Sequence, residues 1–231
     1  CTTYKVDTEN SNFLAFICNL RRPYLANTKA LEYITWGEQQ VTKGRQKQRQ
    51  GIKWHETASV SNRVNWYGIS PRSTADFFCN RFFHSKYFFV FGDDLIDDQT
   101  FYGGKFNSFV TNKILQIALL NSSIGQFMTS LSGRTGLGEG VLQYAVYEMG
   151  GLPVIDSRCI PKHLAREICN LFLQFSTSEI VGVDDLALNT EFTMFDQLIY
   201  QGLNLSEDFR NTIVSHVSQI TSKRLSRAQN V

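Results

Sequence analysis

The chain has no CxxC pair. Its five cysteines stand at positions 1, 18, 79, 159 and 169. They are odd in number and too far apart for a zinc knuckle or a thioredoxin-type site. Reduced, mostly buried thiols of a cytoplasmic protein are the expectation. Proline is scarce, with four residues, and only 19% of the chain is charged; this is not the make-up of a disordered segment. No apolar run approaches the roughly 20 residues that span a bilayer, so no membrane segment is expected, and no signal peptide is recognised. Neither charge sign dominates: 23 Lys and Arg stand against 21 Asp and Glu, leaving +2. Net charge therefore makes no case for nucleic-acid binding, and the question moves to local basic stripes. His55-Glu56 has no second His at helical spacing, so the zinc-protease pattern is absent. There is no internal repeat. The chain opens at Cys1 instead of Met and is read as a fragment of a longer protein.

What is present is aromatic carbon. Eighteen Phe and 13% aromatic residues overall, within 42% hydrophobic, can fill a substantial core. The length of 231 residues allows one large domain or one domain with a helical appendage. Residues 1–35 read as a mixed β and loop entry, in which Phe13–Cys18 is a short strand or helical turn. Residues 71–110 look β-rich, because the runs at Phe77-Phe78, Phe82-Phe83 and Tyr87–Phe91 favour pleated, half-buried surfaces. From Asn107 to Leu120 the apolar residues fall at helical spacing. Lys162–Phe175 is an amphipathic helix, with Leu164, Ile168, Leu171, Phe172 and Phe175 on one face. Met194–Tyr200 is a short helix, and Ser206 caps a final one. Lys223, Arg224 and Arg227 near its C-terminus suit the helix dipole. The expected class is α+β: a mixed, mostly antiparallel β-rich domain with packed helices over 1–155, then a helical subdomain over 156–231.

Residues 39–53 hold the local charge. Lys43, Arg45, Lys47, Arg49 and Lys53 occur there with no acid among them. A loop or hairpin with a cationic edge is the economical reading. Such an edge neutralises phosphates and gains affinity from counterion release. Arg63 is a further candidate, since its fork reaches guanine O6/N7 or a phosphate. Trp66 and Tyr67 beside it read as packing residues that fix a strand. The acidic knot at Asp93, Asp94, Asp97 and Asp98 raises a nuclease alternative, with Lys105 at hand. Both Asp pairs also fit turns, where Asp bonds its own backbone.

The stretch from Leu120 to Val154 organises the chain. Asn121 or Ser122 caps a helix over Ile124–Leu131, and Gly133 suits its end, where positive φ is cheapest for glycine. Gly136, Gly138 and Gly140 follow, with Arg134 and Thr135 at the start of that turn, where backbone can approach a ligand closely. Val141–Tyr147 reads as a strand, stopped by Gly150-Gly151 and Pro153.

These pieces, in this order, resemble the C-terminal target-recognition region of Taq-like adenine-specific DNA methyltransferases and the fused restriction–methylation enzymes related to them. The resemblance rests on Leu120-Asn-Ser, the Gly-rich turn, and Leu152-Pro-Val154. It also rests on Arg22-Pro-Tyr-Leu25, Tyr33-Ile-Thr-Trp-Gly-Glu38, Arg63 with Trp66-Tyr67, and Phe195–Tyr200 followed by Leu203 and Leu205. It implies double-stranded DNA as partner and a bacterial, cytoplasmic enzyme with an upstream methyltransferase domain that binds S-adenosylmethionine. The family's Asn/Asp-Pro-Pro-Tyr/Phe motif does not occur here. The Gly136–Gly140 run follows a helix instead of a strand, so it is a poor cofactor loop. This chain is therefore expected to bind no cofactor and to carry no catalytic residue. Lys43, Arg45, Lys47, Arg49, Lys53, Arg63, Arg134 and Thr135 are the expected DNA contacts. A protein–protein or subunit-docking module is the alternative.

Overall fold

The computed structural model describes residues 2–7, 15–43, 50–69, 73–97, 100–135 and 140–229. The chain forms two compact units, Glu9–Arg72 and Cys1–Thr8 with Ser73–Val231. The class is α+β, with helices and small antiparallel sheets.

The smaller unit begins with a 3-10 turn over Arg22–Leu25, with Pro23 near its start, where a fixed φ costs nothing. Helix α1 spans Lys29–Gln39, and Thr28 caps it by accepting from the Leu31 amide. A β or loop entry was expected through residue 35, and the helix corrects it. Ala30, Leu31 and Ile34 recur at helical spacing, and Ile34 is 1% exposed beside Leu25 and Cys18. The aromatic residues between them disguise that pattern. The chain then runs into β1 (Val41–Lys43), which pairs antiparallel with β2 (Gln50–Lys53). The expected basic segment is thus a hairpin. A 3-10 turn over Trp54–Glu56 follows, and Trp66 and Tyr67 lie in turns, packed on the small core instead of in a strand.

The larger unit is built on an antiparallel sheet of order β5 (Phe89–Val90), β3 (Phe77–Asn80), β6 (Phe101–Gly104). A second pair joins β4 (Phe82–Phe83) to β7 (Leu142–Gln143). Gly104 opposes Phe77 in register, and the Phe77 ring leaves no room there for a Cβ. Residues 2–7 belong to this unit. The Phe91 amide donates to the Tyr4 carbonyl at 3.0 Å, and the Tyr4 ring meets Phe172 and Phe175 edge-on.

Helices α2 (Lys113–Asn121) and α3 (Ser123–Ser132) follow each other with Ser122 between them. Asn112 caps α2, so residues 107–111 stay outside the helix expected from 107. After β7 comes α4 (Val146–Gly150), where a strand to Tyr147 was expected. Tyr144 turns inward, fully buried against Phe83, and Glu148 accepts from the Ala145 amide at 2.7 Å, which starts the helix. Gly133 has φ −91. It is needed for space, not for positive φ: a Cβ would lie 2.6 Å from Leu142 and 2.8 Å from Tyr144.

Helices α5 (Lys162–Phe175), α6 (Thr190–Gly202) and α7 (Glu207–Gln229) complete the unit. Helix α5 packs on α2 and α6, and α7 on α3. The C-terminal helices therefore share one core with the sheet, and the compact units part elsewhere than at residue 155. Arg224 does not serve the helix dipole. It is buried and donates to the carbonyls of Phe83, His84 and Gly140, and to the Tyr87 hydroxyl. The described cysteines are free thiols. Cys18 and Cys79 are buried and Cys159 is exposed, and burial pushes the Cys79 thiol up to about 12.

Three consecutive residues tie these layers together. The Asn121 amide accepts from the Phe89 amide and donates to the Phe89 carbonyl, both at 2.9 Å. It thereby acts as a strand partner for β5. Ser122 caps α3. The Ser123 amide and hydroxyl donate to the Asp196 carboxylate at 2.9 and 2.7 Å, and Arg210 Nε donates to it at 3.0 Å. Burial pushes the Asp196 carboxyl up, opposed by Ser123 and Arg210.

Asn121→Ala leaves the Phe89 amide and carbonyl buried without partners. The expected loss is about 2–4 kcal/mol, read as a lower urea midpoint by circular dichroism. Asn121→Asp keeps the shape but sets a buried carboxylate against the Phe89 and Ile117 carbonyls, so at neutral pH it should destabilise at least as much as Ala.

Candidate nucleic-acid interface

In the smaller unit the separate motifs meet at one carboxylate. Arg22 Nη1 donates to Glu38 Oε1 at 2.5 Å and Trp66 Nε1 donates to the same oxygen at 3.3 Å. The second Arg22 nitrogen reaches Thr35 Oγ1 at 3.3 Å. Gly37 lies against the Trp66 ring so closely that a Cβ would stand 2.8 Å from it. Arg22, Gly37, Glu38 and Trp66 are therefore a structural cluster. It fixes α1 to the turn before it and to the turns after β2. The Arg22 guanidinium holds the Glu38 carboxyl below the usual range, outweighing the effect of burial.

The hairpin leaves this platform at Gln40. The Trp54 amide donates to the Gln40 carbonyl at 3.0 Å, which closes its base. Lys43 pairs with Gln50 and Lys53 with Val41 in register, and both lysines are exposed. Arg45, Lys47 and Arg49 lie outside the described residues. Arg63 is exposed on the following turns, where its Nη1 donates to the Gly68 carbonyl at 2.9 Å.

A feature that sequence reasoning missed lies beside the hairpin. Tyr33 and Trp36 sit one turn apart on α1 with rings stacked at 5.3 Å, and Trp54 meets Trp36 edge-on at 5.5 Å. All three are exposed, Tyr33 by 50% and Trp36 by 45%. They rim a recess of about 330 Å³ floored by Ile34 and Gly37, with Arg63 in its wall. The signal was available as aromatic residues at i and i+3 of a helix.

Arg134 and Thr135 belong to the larger unit. The Arg134 backbone pairs with Gln143, and its Nε lies 2.8 Å from Glu148 Oε1. Arg134 is thus engaged with β7 and α4. Thr135 is exposed and borders a groove of about 470 Å³ with Lys223, Arg224 and Arg227. Gly136 and Gly138 of the Gly-rich run, between α3 and β7, lie outside the described residues. Asp94 takes a positive φ of 53°, as expected of Asp in a turn. Among the described residues no acidic, His or Cys cluster could hold a metal ion, and no helix is long and apolar enough to cross a membrane. A cavity of about 650 Å³ opens in the larger unit between Phe77, Phe106, Phe109, Val146, Met149 and Leu152.

The fold and these surfaces describe an α+β chain with one cationic, aromatic-edged face on its smaller unit. Comparison with protein-family models, with curated proteins and with solved structures finds no match.

Glu38 has a folded pKa below its unfolded value near 4.3, so its contribution to stability is present above that value and lost as pH falls through the depressed one. All three tryptophans lie in the smaller unit, so their fluorescence reports on it alone. Its unfolding midpoint should drop on acidification from about pH 6 to about pH 3. In Glu38→Gln the midpoint should start lower and change less.

Proposed function

We propose that this chain is the DNA target-recognition portion of an adenine-N6 DNA methyltransferase or fused restriction–modification enzyme. In this reading the S-adenosylmethionine-binding domain lies upstream and carries the chemistry. The observation that supports it most is the cationic hairpin. Five cations with no acid fall in residues 39–53, and the strands bearing Lys43 and Lys53 are pinned to a helical platform. A cationic edge held away from carboxylates gains affinity from every phosphate it neutralises. Further support comes from the motifs that carry the resemblance: Arg22, Gly37, Glu38 and Trp66 are drawn from three of them and form one cluster.

The division of labour follows from chemistry. An enzyme acting on adenine N6 must take that base out of the stack. A second domain that grips the backbone and reads base edges keeps the duplex in place while that happens. Lys43, Arg45, Lys47, Arg49 and Lys53 grip phosphate, and Arg63 reads or positions a base. Arg134 supports the turn that presents Thr135.

A docking module is the second reading. Phe109, Val146 and Val154 are exposed and line the cavity in the larger unit, and exposed apolar patches of this kind mark partner surfaces. Salt separates the two.

Titration of the chain with random duplex DNA should show binding that weakens steeply as salt rises. Replacing Lys43, Arg45, Lys47 and Arg49 with Ala should flatten the slope of log K against log salt by roughly 0.9 for each phosphate no longer neutralised. Absence of binding at low salt, or a variant with an unchanged slope, sinks the recognition reading.

A further inference from the structure

We infer that the recess rimmed by Tyr33, Trp36 and Trp54 holds one unstacked base of the bound nucleic acid. The inference rests on the nucleic-acid reading above and assigns that face a second ligand feature besides phosphate.

The geometry is that of a shelf. Tyr33 and Trp36 stack on each other, 23° apart at 5.3 Å, and Trp54 stands at 87° to Trp36, so a base would lie on the ring surface they leave outside. All three expose ring surface to solvent, although large aromatic rings are normally buried for the area they remove from water. The recess of about 330 Å³ is at the lower end of small-ligand sites, which run from about 300 to 1,000 Å³. Its floor is rigid: Ile34 is 1% exposed, and the Gly37–Trp66 contact allows no side chain to grow into it. One wall carries Arg63, whose guanidinium is anchored to the Gly68 carbonyl through Nη1. Its remaining N–H groups suit the acceptor edge of a base or its phosphate.

The occupant is chosen by charge and connectivity. Trp54 follows Lys53 directly, and the Trp54 amide closes the base of the hairpin. A polyanion tracked by the hairpin is therefore delivered to the rings. Glu38, the carboxylate on this part of α1, is already held by Arg22 and Trp66. Every base has a π face, so such a shelf is tolerant of sequence. An aromatic groove can also take a proline-rich peptide, but a neutral peptide would make no use of the adjoining cations.

The test compares a fully paired duplex with the same duplex carrying one single-base bulge, both read by tryptophan quenching of the full chain. Wild type should bind the bulged duplex at least about fivefold more tightly, the lower end of what base–aromatic stacking is worth. Trp36→Ala should lose that preference and keep its affinity for the paired duplex, while Trp36→Phe should retain most of it. Circular dichroism checks that both variants are folded. Salt-sensitive binding with equal affinity for the two duplexes, in wild type, overturns the base site and leaves the phosphate-gripping reading intact. Absence of all duplex binding at low salt overturns that reading. A proline-rich peptide that displaces the bulged duplex and quenches the same tryptophans overturns the choice of ligand.

Discussion

The larger unit depends on the side-chain amide of Asn121 standing in for a strand. Strand β5 is two residues long and bonds β3 on one edge. Its other edge would bury a bare amide and carbonyl at Phe89, itself 2% exposed. Such groups cost free energy unless paired. Asn121 carries a donor and an acceptor on one planar group, so it closes both at once. Because Asn121 ends α2, the same contact fixes where that helix stops against the sheet. Ser122 then starts α3 and Ser123 reaches Asp196 on α6, which holds Arg210 on α7. A run of three short polar residues in the core thus couples the sheet to four helices. Their partners lie on different elements, which makes the junction specific as well as stabilising.

The smaller unit solves a different problem. Among the described residues its buried apolar core is three residues, Cys18, Leu25 and Ile34. So small a core leaves much apolar surface exposed, and the remaining order comes from polar and ring contacts. Glu38 collects Arg22 and Trp66, and Tyr67 donates its hydroxyl to the Leu20 carbonyl at 2.9 Å. Tyr33, Trp36 and Trp54 support one another edge and face while keeping ring surface outside. The scarcity of core and the presence of a binding shelf are therefore two sides of one arrangement: rings that cannot be enclosed are held rigid at the surface.

Legibility in the sequence followed the range of the interaction. Helix α5 was readable to its ends, because Leu164, Ile168, Phe172 and Phe175 repeat locally and are buried. The cap, expected at Asn121 or Ser122 and found at Ser122, and the basic segment, expected as a loop or hairpin and found with its ends paired as β1 and β2, were equally local. Helix α1 was hidden because its exposed Tyr33 and Trp36 break the apolar stripe that marks a helix. The strand expected over 141–147 is present only as Leu142–Gln143, and for a different reason. Tyr144 needs the pocket beside Phe83, and Ala145 needs Glu148 to accept its amide, so the chain turns where β propensity would have carried it on. Asn121, Asp196 and Arg224 were beyond reach altogether. The Asp196 partner Ser123 lies 73 positions away and the Arg224 partner Phe83 lies 141 away. No periodicity reports such pairs.

That distinction also settles how charge should be weighed. The chain carries +2 overall, which argues nothing. Position argues more. Arg22 is held by Glu38, Arg134 by Glu148, Arg158 by Asp156 and Arg210 by Asp196, and Arg224 is buried on carbonyls. Each of these cations already has a partner, which a polyanion would have to displace. Residues 39–53 contain no acid that could compete, and Lys43 and Lys53 reach solvent on a hairpin whose base is fixed by backbone hydrogen bonds. Long-range attraction falls off within a Debye length of about 8–10 Å at ordinary salt, so a phosphate near that hairpin responds to its local charge and little to the sum over the chain. A nearly neutral protein can in this way present a strongly cationic edge.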